Sequence, residues 1–228
     1  MDKLEDKPSE IRLIILCVIE SLIILPTLRL ALWFRSLYHM SFFECLILFY
    51  AFMVAVTLLV LKILRTVVPL KEGRYAFSQN PRGFLHVRIQ DFLLRTNLNL
   101  FYQNELIPPL WRKEFYRLLG AKMGKGIILI SGKLRFPMFI TLEEGVAVAD
   151  DASLNPMEVT SQNEFILGRI HIKKGATIGE KAVVMPGVTV GENSMVSVLS
   201  VVPTFTQIPP NEVWAGNPAK KVGEVTSE

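Results

Sequence analysis

The sequence predicts a mainly β protein: a parallel β-helix preceded by a two-helix transmembrane hairpin and a short amphipathic, interfacial helical segment. Three observations carry that expectation. From Leu142 to Val202 an aliphatic side chain returns at almost every sixth residue. The first 70 residues hold two long apolar runs, and from residue 72 to 120 aromatic and leucine side chains are spaced among arginine and lysine. The expected division is therefore 1–70 for the hairpin, 71–120 for the interfacial segment and 121–228 for the β-helix with its C-terminal cap.

Composition narrows the partners. The chain is 50% hydrophobic, with the excess in its first 70 residues, and its formal charge of +4 is only mildly basic. Much of the positive charge flanks the apolar runs, which fits a membrane surface better than nucleic acid, and no basic stripe interleaved with aromatics appears. Cys17 and Cys45 fall inside apolar runs, so neither a disulfide framework nor a metal-ligand cluster is expected. The only histidines are His39, His86 and His171.

In chain order, the first apolar run covers Leu13 to Phe34 and is interrupted by Glu20, Pro26 and Arg29. Charges at the centre of a helix cost about 2.5 to 3.5 kcal/mol each on insertion, so this run inserts only marginally by itself. The run from Phe42 to Leu64 is stronger, with Glu44 near one end and Lys62 near the other. Its length suffices to cross a hydrocarbon layer of about 30 Å at about 1.5 Å per residue. The first run can pair with it through the link Arg35 to Ser41. Lysines and arginines crowd the outer ends of both runs, while Arg35 alone lies in the link, which places both termini and the β-helix on the cytoplasmic side of the inner membrane. A cleavable signal peptide fits the first run poorly, because it is long, charged and lacks a small-residue cleavage site. Glu20 reads as a carboxyl facing the partner helix.

The segment from 72 to 120 suits short helices in the headgroup region, with Trp111 and Tyr116 at the interface and cations outward. A helical cap on the β-helix fits it equally well. Pro108 and Pro109 divide it.

Residues 123–139 read as an irregular first coil, out of phase with the later repeats because of an insertion or bulge. Then Leu142, Val148, Leu154, Thr160, Ile166, Ile172, Ile178, Val184, Val190, Val196 and Val202 stand six apart. A period of six is a multiple of the strand period and matches neither helix nor heptad. It marks a triangular coil whose three faces each use one hexad. Four places on, small residues such as Ala152, Ala176, Ala182, Ser194 and Ser200 suit tight corners, and Glu158 and Glu164 break that series. A β-sandwich would alternate without a phase locked at six. Pro203, Pro209 and Pro210 are expected to end the stacking.

Certain runs are recognisable. The segment from Ile172 to Glu192, IKKGATIGEKAVVMPGVTVGE, followed by the IPP at Ile208 and by WAGNPAK from Trp214 to Lys220, resembles the hexapeptide-repeat acyltransferases. The entry YRLLGAKMGK from Tyr116 to Lys125 resembles the sugar and exopolysaccharide acetyltransferases of that family. The coupling to membrane helices is similar to the terminal acyltransferase-like domain of some nonribosomal peptide synthetases. This resemblance implies a left-handed β-helix, a homotrimer, and acetyl-CoA or another acyl-CoA as donor in a cleft between adjacent β-helices. It implies a sugar, lipid-linked glycan or amine as acceptor, while the apolar runs and their flanking charge give membrane lipid as a partner and no nucleic acid. It also implies a general-base histidine between about Asn155 and Gly168.

No histidine occurs there. A carboxylate raised toward neutrality by burial could take its place, with Glu164 as first candidate and Glu158 as second. The alternative is a pair of solvated loop glutamates in a non-catalytic trimeric scaffold that gathers membrane partners. His171 reads as a solvated corner residue. By residue-for-residue match, the resemblance places Gly216, Asn217, Lys220 and Lys221 beside CoA, with the lysines near its phosphates.

Overall fold

A computed structural model describes residues 7–76, 81–98, 108–160 and 164–225. The chain forms two compact units, Met1–Leu70 with Pro81–Tyr102, and Lys71–Asn80 with Gln103–Glu228.

The first unit is helical. Helices α1 (Lys7–Tyr38) and α2 (Phe42–Val67) are joined at a tight turn. Glu44, which looked like a charge at the end of an apolar run, closes a capping box. The Ser41 N–H donates to its carboxylate at 2.7 Å and its own N–H donates to Ser41 Oγ at 3.3 Å. Along α1 a stripe of Leu16, Ile23, Thr27 and Ala31 is buried, at the four- and seven-residue spacing of one helix face. The opposite side exposes Ile14, Val18, Leu22 and Leu25, and α2 exposes Phe43, Ile47, Leu59 and Ile63. Two helices are thus long and apolar enough to cross a membrane.

Helix α3 (Pro81–Asn97) packs on both. Its inner side joins Val87, Leu93, Leu94 and Leu98 to three polar residues, His86, Gln90 and Asn97. Asn97 is 1% exposed; its amide donates to Thr57 Oγ1 at 3.0 Å and to Glu20 at 3.5 Å, and Tyr50 donates to its carbonyl at 3.1 Å. The Glu20 carboxyl therefore meets α3, a partner the two-helix reading did not supply.

Burial, and secondarily the nearby Arg65 charge, depress the His86 imidazole to about 4. The Gln90 side-chain nitrogen lies 2.6 Å from His86 Nε2, which suits an unprotonated ring nitrogen as acceptor. The unfolded chain takes up a proton at this ring below its ordinary 6.5, whereas the folded chain resists until about 4. The contribution of neutral His86 is complete above pH 6.5 and is lost as pH falls toward 4. Melting of the full-length protein is expected to show this acid-dependent loss, and His86→Gln should remove it.

The second unit is the prism. Helix α4 (Pro109–Leu118) closes its first end, with Tyr116 donating to the Gly132 carbonyl at 3.3 Å and Arg117 to the carbonyls of Met123 and Gly124. The first coil is β2 (Lys122–Met123), β3 (Ile128–Leu129) and β4 (Lys133–Leu134). A 3-10 turn at Pro137–Phe139 shifts the phase before β5 (Ile140–Leu142), β6 (Ala147–Val148) and β7 (Ser153–Leu154). An excursion comes next, strands β8 (Met157–Val159) and β9 (Glu164–Leu167). The coils then resume with β10 (Ile170–Ile172), β11 (Thr177–Ile178) and β12 (Val183–Val184). The fourth is β13 (Thr189–Val190), β14 (Met195–Val196) and β15 (Val201–Val202), and β16 (Gln207–Ile208) with β17 (Glu212–Gly216) starts a fifth. Strand β18 (Ala219–Glu224) folds back antiparallel on β17.

Equivalent strands stack in parallel, in the orders β16-β13-β10-β5-β2, β17-β14-β11-β6-β3 and β15-β12-β7-β4. Inner columns such as Leu142, Ile172, Val190 or Val148, Ile178, Val196 are fully buried, and so are the corner residues Ala152, Ala176, Ala182, Ser194 and Ser200. Coil-to-coil bonds such as Thr177 N–H to Ser194 O satisfy the backbone.

Two expectations need correction. Thr160 and Ile166 do not belong to an inner column. Eighteen residues separate Leu154 from Ile172 where six would suffice, and the surplus of twelve forms the β8–β9 hairpin. Because twelve is two hexads, the count stays in phase across the excursion. Stacking also continues past Val202, into β16 and β17: Pro203 and Pro209 follow β15 and β16, the last strands of their faces, at the positions from which Met185 and Gly191 donate to the coil beyond, so no acceptor is left without its N–H, and β18 ends the third sheet.

Candidate active site

The hairpin leaves the prism at the corner after β7 and gains a third strand that the sequence did not advertise. Strand β1 (Gly73–Ala76) pairs antiparallel with β9 along four residues, giving the order β1-β9-β8. Tyr75 stacks on Phe165 with centroids 5.0 Å apart, and Glu72 pairs with Arg169 at 3.2 Å. These contacts hold β1 in register.

Residues directly opposite across strands project from one face. Arg74 and Glu158 both stand opposite Ile166, so the three share a face. That face meets the turn between β15 and β16. Thr204 donates to the Glu158 carboxylate at 2.7 Å, and the Arg74 guanidinium lies 5.6 Å from the centre of the Phe205 ring. Glu158 is half-buried. Glu164 lies at the hairpin's far end, opposite Ala76, and its carbonyl accepts from Thr160 at 2.8 Å. Its carboxylate has no hydrogen-bond partner among the described residues.

His171 is on a flat face, in the outward column between Thr141 and Thr189, and not at a corner. Its Nε2 lies 2.6 Å from Glu143 Oε1, while Glu143 Oε2 accepts the Lys174 N–H at 3.1 Å.

The tail forms the β17–β18 hairpin. Gly216 takes a positive φ of 100° at its end and donates its N–H to Ser200 Oγ at 3.1 Å. Asn217 is exposed on the turn. Lys221 pairs with Glu212 and with Glu224, each at 2.9 Å, and Trp214 Nε1 donates to Glu212 at 2.8 Å. The hydrogen bond from Lys221, then that from Trp214, holds the Glu212 carboxyl below its usual range, and both carboxylates push Lys221 upward. Lys220, opposite Ala215, is exposed and has no ion-pair partner among the described residues.

Sequence reasoning singled out the hairpin and the tail but missed Arg74, Thr204 and Phe205. No period links 74 to 166, and Thr204 and Phe205 lie between two strand positions of the repeat.

Comparison with known proteins bears on this geometry. WcaF of Escherichia coli (strain K12), named as a colanic acid biosynthesis acetyltransferase, is 33% identical over 138 residues, covering 50% of this chain and 75% of WcaF. The Delta-poly-L-ornithine synthetase of Acinetobacter baumannii (strain AB307-0294) is 29% identical over 114 residues, and the match spans 50% of this chain but 8% of that synthetase. Among solved structures, the acetyl-CoA complex of the hexapeptide-repeat acetyltransferase VCA0836 from Vibrio cholerae O1 biovar eltor superposes with a TM-score of 0.50 at 18% identity, covering 65% of this chain and 92% of that one. A maltose O-acetyltransferase from Clostridium difficile 630 gives 0.50 and 18%, covering 69% and 95%, and the two likenesses show the fold. No family model matches the chain. The stacked hexads and the extent of the WcaF match establish that the chain belongs to the hexapeptide-repeat acetyltransferase family, with its left-handed parallel β-helix.

Proposed function

We propose that this protein is a membrane-anchored acyltransferase that moves an acetyl or similar acyl group from acyl-CoA to a hydroxyl or amine at the cytoplasmic face. The observation that carries the reading is the Glu158–Thr204 hydrogen bond, which fixes a carboxylate on the hairpin against the coil corner. Glu158 is the better base than Glu164, because its carboxylate is held in place whereas that of Glu164 has no anchor among the described residues. In the reaction Glu158 takes the acceptor's proton, the freed oxygen or nitrogen forms a bond to the thioester carbonyl carbon, and the tetrahedral intermediate expels CoA thiolate, which regains a proton. Backbone N–H groups at the coil corner are suited to steady the oxyanion.

The tail supplies the donor side. Gly216 and Asn217 form the turn, and Lys220 meets a CoA phosphate, whereas Lys221 is committed to Glu212 and Glu224. Lys220→Gln is expected to raise KM for acetyl-CoA about tenfold, the loss of about 1.4 kcal/mol of binding. Lys221→Gln should instead lower the melting temperature. Steady-state kinetics beside melting curves separate the two.

Exposed Ile128, Ile130, Val198 and Leu199 on the prism support a homotrimer, the assembly in which a cleft between protomers would form. The scaffold reading draws support from the missing histidine. The experiment that decides is thermal shift of the full-length protein with acetyl-CoA: stabilisation at millimolar ligand supports the enzyme, and no shift favours the scaffold.

A further inference from the structure

We propose that Arg74 binds an acceptor phosphate, so that the substrate is a phosphate-linked sugar presented on a membrane lipid carrier. This rests on the reading of Glu158 as base and names the acceptor for that same site.

The register gives the first argument. Arg74 and Glu158 flank Ile166 on one face, two strand spacings or about 10 Å apart at the backbone. That interval suits one sugar ring and its anomeric oxygen, with an attacking hydroxyl at the carboxylate and a phosphate at the guanidinium. Both side chains fold onto consecutive residues of one turn, Glu158 onto Thr204 and Arg74 onto Phe205. A single rigid turn thus sets the distance between the two charged ends.

The state of Arg74 gives the second. Among the described residues it has no carboxylate partner, although Arg169, two residues past the end of β9, is paired with Glu72. Its Cζ stands over the Phe205 ring, 5.6 Å from the centroid, and no carboxylate among the described residues takes its N–H groups, which leaves them for an anion; a bidentate fork on phosphate is the recognition arginine performs best. The platform is built. Phe205 holds a left-handed φ of 61°, and its ring lies across Gly187, where an added Cβ would come within 2.3 Å of Cδ1.

Connectivity gives the third. Residues 68–72 alone join the end of α2 to β1, and five residues reach at most about 20 Å. A strand that carries an acceptor-binding arginine is therefore on a short leash from a membrane-length helix. A phosphate at this arginine could come from a lipid carrier or from a free nucleotide sugar, and the leash favours the lipid.

The test uses the full-length protein in nanodiscs. Phenylglyoxal modification of Arg74, followed by mass spectrometry, should be slowed at least fivefold by glucose 1-phosphate and not by methyl glucoside; equal modification with either overturns the phosphate site whether or not the protein is catalytic. With acetyl-CoA present, sugars linked to undecaprenyl diphosphate should react with a KM at least tenfold below that of the matching methyl glycosides. Arg74→Gln should erase that difference by raising the first KM, with kcat within about twofold, and Arg74→Lys should restore part of it. An unchanged KM ratio in Arg74→Gln refutes the proposal. A UDP-sugar that reacts as well as the lipid-linked one, and depends equally on Arg74, refutes the lipid carrier. Full turnover in Glu158→Gln would remove the base assignment and leave the modification result standing, so the two failures are distinguishable.

Discussion

Replacing Glu158 with glutamine is expected to lower acyl transfer by about 10²- to 10⁴-fold, the usual yield of a positioned general base. The amide keeps the shape and can still accept from Thr204, so the hairpin should hold its place while the proton acceptor is lost. Binding of acetyl-CoA, read by thermal shift, should be unaltered. Glu164→Gln, which removes a carboxylate with no hydrogen-bond partner among the described residues, should change turnover by less than about threefold if the base is Glu158. The reverse pattern would transfer the role to Glu164, and loss in neither would favour the scaffold. His171→Gln is the natural control. That ring is held by Glu143 in a ladder position on the flat of the prism, so its replacement should leave turnover within the same limit.

The largest effect on stability is expected at the inner columns. Ile178 is fully buried between Val148 below and Val196 above, so Ile178→Ala removes three carbons from a column that cannot close around the gap. The cost should be about 2 to 5 kcal/mol. Its neighbour Thr177 is on the same two-residue strand but points outward, between Ala147 and Met195, and Thr177→Ala should cost less than about 0.5 kcal/mol. Denaturant melts of the two variants compare inward and outward positions of one strand. Similar losses in both would mean that Ile178 does not face the interior.

The inner columns were legible because each aliphatic side chain answers to a repeating geometric demand, and Ile172, Ile178 and Val184 occupy the three faces in turn. The corners were legible for the same reason, since only small side chains such as Ala176 and Ala182 fit there. The site was harder to read. Its hairpin revealed itself only through Glu158 and Glu164, the residues too polar for a corner. Strand β1 was invisible, because four residues beside a membrane-length helix carry no period and their partner is ninety residues away in the chain. Asn97 is a similar case. Its neighbours predict an amphipathic surface helix, and only the positions of Thr57 and Glu20 explain a polar side chain on the buried face.

The twelve extra residues between Leu154 and Ile172 make the hairpin separable from the core. Excising 157–168 joins two hexads at their natural interval, so the aliphatic columns need no new residue to receive the cut. An insert of six, twelve or eighteen residues at this one place would therefore leave every later aliphatic position in phase, so the length of the excursion can change in whole hexads without a change in the scaffold's own sequence.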